Sequence, residues 1–135
     1  MIVVDTNLIV NFVVESELTQ QAERVFARDP QWCAPLLWRS ELRNVLALYF
    51  RHGLLSLEDI LDLMQRAETL MQDGEYPVAS APVLNLASRF RCTAYDCEFV
   101  ALAQYLGVPL VTSDTQVLSA FPSAAVLAGT FSLTQ

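Results

Sequence analysis

Two acidic residues follow apolar runs in a way that could build a catalytic site. Asp5 comes directly after Ile2-Val3-Val4, and Asp114 comes shortly after the apolar segment 108–112. If both runs are strands of a parallel sheet, their carboxyl ends lie along one edge, where ligands bind. The two acids are therefore predicted to meet, although they are far apart in the sequence.

Two further acids, Glu41 and Asp96, lie on predicted helices and point toward apolar neighbours. Glu41 shares its helix face with Val45, Leu48 and Tyr49. Asp96 lies in a first helical turn and shares its face with Phe99, Val100 and Ala103. A carboxylate on an apolar face is costly unless it is paired or bound to a metal. The chain has no Lys. Its eight basic residues are all Arg, which could pair some of the four acids but not all four at one point.

Each of the four acids also has a structural interpretation. Asp5 and Asp114 could N-cap the helices that follow them. Asp96 could be a first-turn acid favoured by the helix dipole, and Glu41 could pair with a neighbouring Arg. All four interpretations would have to hold together for the set to be structural only.

A divalent cation would resolve the repulsion among clustered carboxylates, since each charge raises the pKa of the others. Mg²⁺ and Mn²⁺ prefer oxygen ligands, and Mg²⁺ keeps several bound waters. One ion activates water as a nucleophile, and a second can stabilise the leaving oxygen. Because the chain has a single His, the four acids favour metal-assisted phosphodiester hydrolysis over zinc proteolysis.

The elements that would position these acids alternate between apolar runs and amphipathic patterns, which predicts an α/β domain with a largely parallel sheet. Strands are predicted at Ile2–Val4, Gln31–Ala34, Tyr76–Ala79, Val108–Thr112 and Ala124–Ala128. Helices are predicted at Thr19–Arg28, Leu36–Arg51, Ser56–Gln72, from a Ser80 cap onward, at Ala94–Leu106, and shortly after Asp114. With no repeat or linker, residues 1–135 are predicted to form one domain.

Composition excludes several other functions. Without Lys the chain has neither a P-loop nor a Schiff-base site, and Asn7 stands where a haloacid-dehalogenase-type phosphatase needs its second Asp. A receiver domain also requires the missing Lys. The three cysteines are expected to be reduced core thiols. No apolar run approaches the roughly 20 residues of a membrane span, and no signal peptide is seen, so a cytoplasmic protein is expected.

The motifs around the four acids resemble those of the PIN-domain family, in order and over nearly all of residues 1–130. They are Val3-Val4-Asp5-Thr6-Asn7, Ser40-Glu41-Leu42, Tyr95-Asp96 followed by Ala101-Leu102-Ala103, and Val111-Thr112-Ser113-Asp114. The chain as a whole resembles the small VapC-like members of that family, which are ribonuclease toxins of toxin–antitoxin pairs. This resemblance implies a three-layer α/β/α sandwich around a central parallel sheet of about five strands. It also implies an endoribonuclease with one or two Mg²⁺ or Mn²⁺ ions on the four acids.

The resemblance also suggests roles for residues around the acids. Thr6, Asn7 and Thr112 would orient an acid or the scissile phosphate, and Glu98 could touch the metal directly or through water. The acidity of the chain, with a net charge of −7, leaves few groups for RNA phosphates. The candidates are Arg39, Arg43, Arg89 and Arg91, because a guanidinium binds phosphate in a bidentate manner. These Arg could equally pair with surface acids.

Partners are expected by the same resemblance: an RNA substrate, a small antitoxin and a second copy of the chain in a homodimer. Trp32, Trp38 and Phe50 could give the antitoxin an apolar surface, or could simply belong to the core. The alternative function is a non-catalytic PIN scaffold that acts as a binding module in a larger assembly. A purely structural α/β domain is the remaining alternative.

Overall fold

The computed structural model describes residues 1–133 and contains a five-stranded sheet in which all paired strands are parallel. The strands are β1 (Ile2–Val4), β2 (Trp32–Pro35), β3 (Glu75–Tyr76), β4 (Leu110–Thr112) and β5 (Ala125–Leu127). Their order across the sheet is β3-β2-β1-β4-β5. From the central strand β1, the strands β2 and β3 follow on one side of the sheet, and β4 and β5 follow on the other. The strand order therefore switches direction between β1 and its neighbour β4. This arrangement confirms the expected parallel sheet of five strands.

Helices cover both faces of the sheet and complete the expected three layers. They are α1 (Thr6–Val13), α2 (Thr19–Arg28), α3 (Leu37–Arg51), α4 (Leu57–Met71), α5 (Ser80–Arg89), α6 (Ala94–Leu106), α7 (Thr115–Ala120) and α8 (Ala128–Leu133). Helix α6 packs across β1, β2 and β4, with α5 against it. Helices α3 and α4 contact β2, while α8 contacts β4 and α2. The sequence pattern does not predict α8 and gives α1 only as the helix that Asp5 could cap.

The middle of the central helix α6, from Cys97 to Ala103, is buried apart from the half-buried Glu98, because the sequence there is apolar on nearly every side. Thr93 caps its first turn, and Gly107 ends it in the left-handed conformation with φ of 68°. The N–H of Val108 then bonds to the carbonyl of Ala103, so this residue closes the helix. A strand was predicted at Val108–Thr112. Because Val108 belongs to the end of the helix, the observed strand begins only at Leu110.

Other predicted boundaries also differ: the strands expected at Gln31–Ala34 and Ala124–Ala128 lie at Trp32–Pro35 and Ala125–Leu127. The strand expected at Tyr76–Ala79 ends at Tyr76, immediately before Pro77, which has no N–H to continue the ladder. Ser80 does not cap α5; it is the first helical residue, and Ala79 occupies the N-cap position without a side-chain bond. The capping box between Ser56 and Asp59 on α4 is confirmed.

The core includes both tryptophans. Trp32 and Trp38 are buried, so the core interpretation holds for them, whereas Phe50 is 47% exposed. Trp32 packs edge-on against Phe12 and Phe26. All three cysteines are free thiols, with Cys92 only partly buried. Within residues 1–133, no helix has the length and apolar character needed to span a bilayer.

Candidate active site

Asp5 and Asp114 meet at the carboxyl edge of the sheet through a shared threonine. The hydroxyl of Thr112, at the end of β4, donates to Oδ2 of Asp5, which follows β1 (2.5 Å). The same hydroxyl accepts from the backbone N–H of Asp114 (3.0 Å). The prediction that these two acids lie at one edge is confirmed by this link.

Both acids also cap helices, as the structural interpretation proposed. Oδ1 of Asp5 accepts from the N–H of Leu8 in α1 (2.9 Å). Oδ1 of Asp114 accepts from Gln116 and Val117 at the start of α7 (2.9 and 3.1 Å). The caps fix each carboxylate against the backbone. They do not exclude a metal role, since a carboxylate has about four lone-pair sites.

Glu41 reaches the same edge from α3. The hydroxyl of Thr6, in the first turn of α1, donates to its Oε1 (2.7 Å). Thr6 is buried and Glu41 is half-buried. Of the apolar neighbours on its predicted face, Val45 contributes to the site, whereas Leu48 is exposed. The buried residues of α3 lie on the adjoining face of the helix: Trp38, Leu42 and Leu46.

Asp96 enters from the opposite layer, in the first turn of α6. Its N–H bonds to the hydroxyl of the N-cap Thr93 (3.0 Å). The apolar residues on its predicted face, Phe99, Val100 and Ala103, are buried, as expected. The first-turn position is the one that the helix dipole favours for an acid. It also places the carboxylate close enough to Asp114 for the charge of Asp114 to raise the pKa of Asp96.

All four carboxylates line one cavity at this edge of the sheet. Its other lining residues are Thr6, Asn7, Asn44, Val45, Phe99, Leu110, Thr112 and Val117. The expected placement of Thr6, Asn7 and Thr112 beside the acids is thus observed. Asn44 is an addition that the sequence interpretation missed. Its position one helical turn after Glu41 was the available signal.

The carboxylates repel one another across the cavity. Burial raises the pKa of Asp5 above its usual value, and the charges of Asp114 and Glu41 raise it further, against the lowering effect of its bonds to Thr112 and Leu8. Burial likewise raises the pKa of Asp96, with Asp114 adding to the effect. The site therefore holds its negative charge at an energetic cost.

Within residues 1–133, no ion pair with a basic group of the protein offsets that cost. The ion pairs in residues 1–133 join the N-terminal amine to Asp29 and Arg39 to Glu68 and Glu75. None of them includes one of the four acids. The proposed pairing of Glu41 with a neighbouring Arg is therefore not found in this part of the chain.

The donor set fits a hard divalent cation. In residues 1–133 no three Asp, Glu, His or Cys side chains are drawn close enough to form a ready-made cage for an ion. Mg²⁺ needs no such cage, because it binds through one or two carboxylates and keeps several waters. Four carboxylates around an open cavity, with hydroxyl and amide groups between them, supply that chemistry.

Glu98 lies near the site without lining the cavity. Its side chain is half-buried, and burial followed by the charge of Glu41 raises its pKa. It is thus close enough to Glu41 to add to the negative field. A direct contact with a metal remains a prediction.

The four candidate arginines lie outside the cavity lining of the described residues 1–133. Arg39 is engaged elsewhere: its Nε donates to Glu75 (2.8 Å), its Nη1 contacts Glu68, and Trp38 donates to the same oxygen of Glu75. Arg43 is exposed, and Arg89 lies over the ring of Phe90 at 5.8 Å.

Arg91 is held beside the site by its backbone. The side-chain amide of Gln116, in the first turn of α7, donates to the carbonyl of Arg91. Gln116 in turn donates its N–H to Asp114. The loop before α6 is thereby tied to the edge of the sheet where the acids lie.

Comparison with known proteins identifies the family. The model of the PIN domain family matches residues 2–122. The chain belongs to the PIN domain family. Among curated proteins, this PIN domain is similar to "Ribonuclease VapC3" of Pyrobaculum aerophilum, with 28% identity over 125 residues, 90% of this chain and 95% of that protein.

Solved structures share the fold of this PIN domain at low sequence identity. The crystal structure of PAE2754 from Pyrobaculum aerophilum has a TM-score of 0.77 and 18% identity, covering 98% of this chain and 93% of that one. A chain of a toxin–antitoxin complex from Klebsiella pneumoniae has a TM-score of 0.70 and 16% identity, covering 95% and 98%.

Proposed function

We propose that this PIN domain is a Mg²⁺- or Mn²⁺-dependent endoribonuclease that hydrolyses phosphodiester bonds in RNA. The observation that carries the proposal is the cavity lined by Asp5, Glu41, Asp96 and Asp114, none of which forms an ion pair within residues 1–133. Similarity to a ribonuclease supports RNA as the substrate. The proposal treats residues 1–135 as one catalytic domain.

The divalent cation, when bound, would lower the pKa of a bound water and neutralise charge that develops on the phosphate. Holding the cation is assigned to the four carboxylates. Thr112 fixes Asp5 relative to Asp114, and Thr6 fixes Glu41. Such hydrogen bonds keep ligands in place, so little reorganisation is needed when charge develops at the site.

The apolar part of the cavity strengthens these interactions. Val45, Phe99, Leu110 and Val117 lie among the acids. They reduce the access of water, and an electrostatic contact is stronger where the local dielectric constant is low. A phosphate drawn toward the cation would therefore be held more firmly than it would be on an open acidic surface.

RNA binding outside the cavity is assigned to the arginines that remain available. Arg43 is exposed one turn from Arg39 on α3, and Arg89 and Arg91 precede α6. These three groups could contact phosphates on either side of the scissile bond. Arg39 is the weakest candidate, because its guanidinium already bonds to Glu75 and Glu68.

A biological role as the toxin of a type II toxin–antitoxin pair is the best-supported context. The support is the similarity to a VapC ribonuclease and the fold shared with a chain of a toxin–antitoxin complex. The proposal therefore includes a small antitoxin that neutralises the enzyme, action on RNA in the cytoplasm, and a homodimer. Phe50, exposed on α3, is a candidate contact for the antitoxin.

RNA cleavage by the purified protein tests the enzymatic proposal. Single-stranded and structured RNA would be incubated with the protein and Mg²⁺, Mn²⁺ or EDTA. Asp114→Asn is the variant expected to be inactive. Asp73→Asn, which changes an exposed acid outside the cavity, is the control. We expect cation-dependent cleavage by the wild type and by Asp73→Asn only. If wild type and Asp114→Asn are equally inert or equally active, the catalytic proposal fails, and a non-catalytic binding module in a larger assembly becomes the better account.

Growth after induced expression tests the toxin role separately. We expect wild type to arrest growth, Asp114→Asn not to do so, and co-expression of the neighbouring gene to restore growth. A nuclease that cleaves RNA in vitro but never slows growth would contradict the toxin role and leave the enzyme intact.

A further inference from the structure

Hydrogen-bond donors are scarce in the acidic cavity. The hydroxyl proton of Thr6 is donated to Glu41, and that of Thr112 is donated to Asp5. The remaining polar lining residues are the four acids, Asn7 and Asn44. The side-chain N–H groups that line the cavity in residues 1–133 therefore belong to the two asparagines.

Asn44 is placed and exposed as a substrate contact would be. It lies one turn after Glu41 on α3, where the i and i+3 side chains are neighbours on one face. Its side chain is exposed, and no hydrogen bond to it is found in the described residues 1–133. An amide that neither caps a helix nor supports the acids is free to bind a ligand.

The chemistry of the amide suits the anionic substrate better than the metal. An Asn side chain has two N–H donors and one neutral carbonyl acceptor. A divalent cation at the site would be bound first by the charged carboxylates around it. A phosphodiester brings negative oxygens into a cavity that already contains four acids, so it needs an uncharged or positive donor.

We propose that Asn44 is a substrate-binding residue, whose amide donates a hydrogen bond to a non-bridging oxygen of the RNA phosphate in the cavity. The inference rests on the proposed function for the identity of the substrate. It assigns RNA affinity, rather than cation affinity, to this position on α3. Asn7, expected from the family resemblance to orient an acid or the scissile phosphate, lines the same cavity.

RNA binding without turnover provides the test. The dissociation constant of a 5′-fluorescein single-stranded RNA would be measured by anisotropy, with Ca²⁺ in place of Mg²⁺. Asn44→Ala removes the donor, and Asn44→Asp replaces it with an acceptor of the same shape. Asn85→Ala, at an exposed position on α5, is the matched control. The gain in thermal stability on addition of Mn²⁺ would be measured for the same proteins.

Loss of a hydrogen bond to a charged partner predicts roughly tenfold weaker RNA binding for Asn44→Ala. Asn44→Asp should be weaker still, because a fifth acid repels the phosphate, while its Mn²⁺-induced stabilisation should equal or exceed that of wild type. Asn85→Ala should match wild type in both measurements. An RNA affinity of Asn44→Ala within twofold of wild type, or an equal loss of Mn²⁺ stabilisation, would overturn the inference.

The outcome separates this inference from the proposed enzyme. If wild type binds RNA but does not cleave it, and Asn44→Ala weakens that binding, the nuclease proposal fails and the role of Asn44 stands. If wild type does not bind RNA at all, the role of Asn44 fails with it.

Discussion

The hydroxyl of Thr6 donates a 2.7 Å hydrogen bond to Oε1 of Glu41, a residue 35 positions further along the chain. Thr6 belongs to the first turn of α1, and Glu41 to the first turns of α3. The bond therefore fixes the orientation of an acid on one helix by a hydroxyl on another. This contact holds Glu41 in the cavity, where no Arg of residues 1–133 forms an ion pair with it.

Removal of that hydroxyl should reduce activity more than stability. Thr6→Val keeps the shape of the side chain but leaves Glu41 without its donor. We expect roughly tenfold lower kcat in an RNA cleavage assay, as is typical when a group that orients a metal ligand is lost. Thr19→Val is the matched control, because Thr19 is also a buried threonine with a structural bond, to the carbonyl of Val14. Equal activity losses in the two variants would show that Thr6 acts only through folding.

Neutralisation of Asp5 should stabilise the metal-free protein. Burial and the charges of Asp114 and Glu41 raise the pKa of Asp5, so the ionised carboxyl lowers the free energy of unfolding at neutral pH. Asp5→Asn retains an oxygen to cap Leu8 and removes the charge. We expect thermal unfolding of the metal-free variant a few degrees above wild type at pH 7. A lower Tm for the variant would show that the hydrogen bonds accepted by the charged carboxylate from Thr112 and Leu8 outweigh the repulsion.

The pH dependence of that difference has a definite sign. An acid whose folded pKa is raised takes up more protons when folded, so its contribution to stability is present below the unfolded value, 3.8 for Asp, and is lost as pH rises through the raised pKa. The amount by which the free energy of unfolding of Asp5→Asn exceeds that of wild type should therefore shrink as pH falls from 7 toward 4. Urea unfolding at several pH values measures it. A difference that stays constant would contradict the assignment of repulsion to this carboxyl.

Arg39 should prove to be structural. Its guanidinium bonds to Glu75 and Glu68, and Trp38 donates to the same oxygen of Glu75, at 3.1 Å. We expect Arg39→Met to lower the free energy of unfolding by roughly 1 kcal/mol, the upper range for partly exposed ion pairs, with RNA affinity unchanged. Arg43→Met should show the opposite result: unchanged stability and weaker RNA binding at low salt. If Arg39→Met weakens RNA binding and Arg43→Met does not, the roles assigned to these two arginines are reversed.

Much of the site could be predicted from the sequence because it depends on strand ends. Asp5 and Asp114 each follow a short apolar run, and parallel strands bring such positions to one edge. The first-turn place of Asp96 was equally visible, since α6 is apolar on nearly every side and Asp96 lies at its start.

What the sequence did not reveal depends on contacts between distant elements. The pairing of Arg39 with Glu75 requires α3 to lie beside β3, which no local pattern specifies. The double role of the Thr112 hydroxyl required knowledge of which strands are neighbours. Asn44 was missed because its one signal, a position one helical turn after Glu41, gains meaning only when the cavity around it is seen.

The binding of Mn²⁺ to the metal-free protein, measured by titration calorimetry, tests most directly whether the four carboxylates hold a cation. Wild type and the control Asp73→Asn are expected to bind one or two ions per chain with equal affinity. Asp5→Asn and Asp96→Asn are expected to bind at least tenfold more weakly, as for the loss of a group that ligates or orients the ion. Binding that is equal in all four proteins, or absent from wild type, would contradict the metal site and the hydrolytic function built on it.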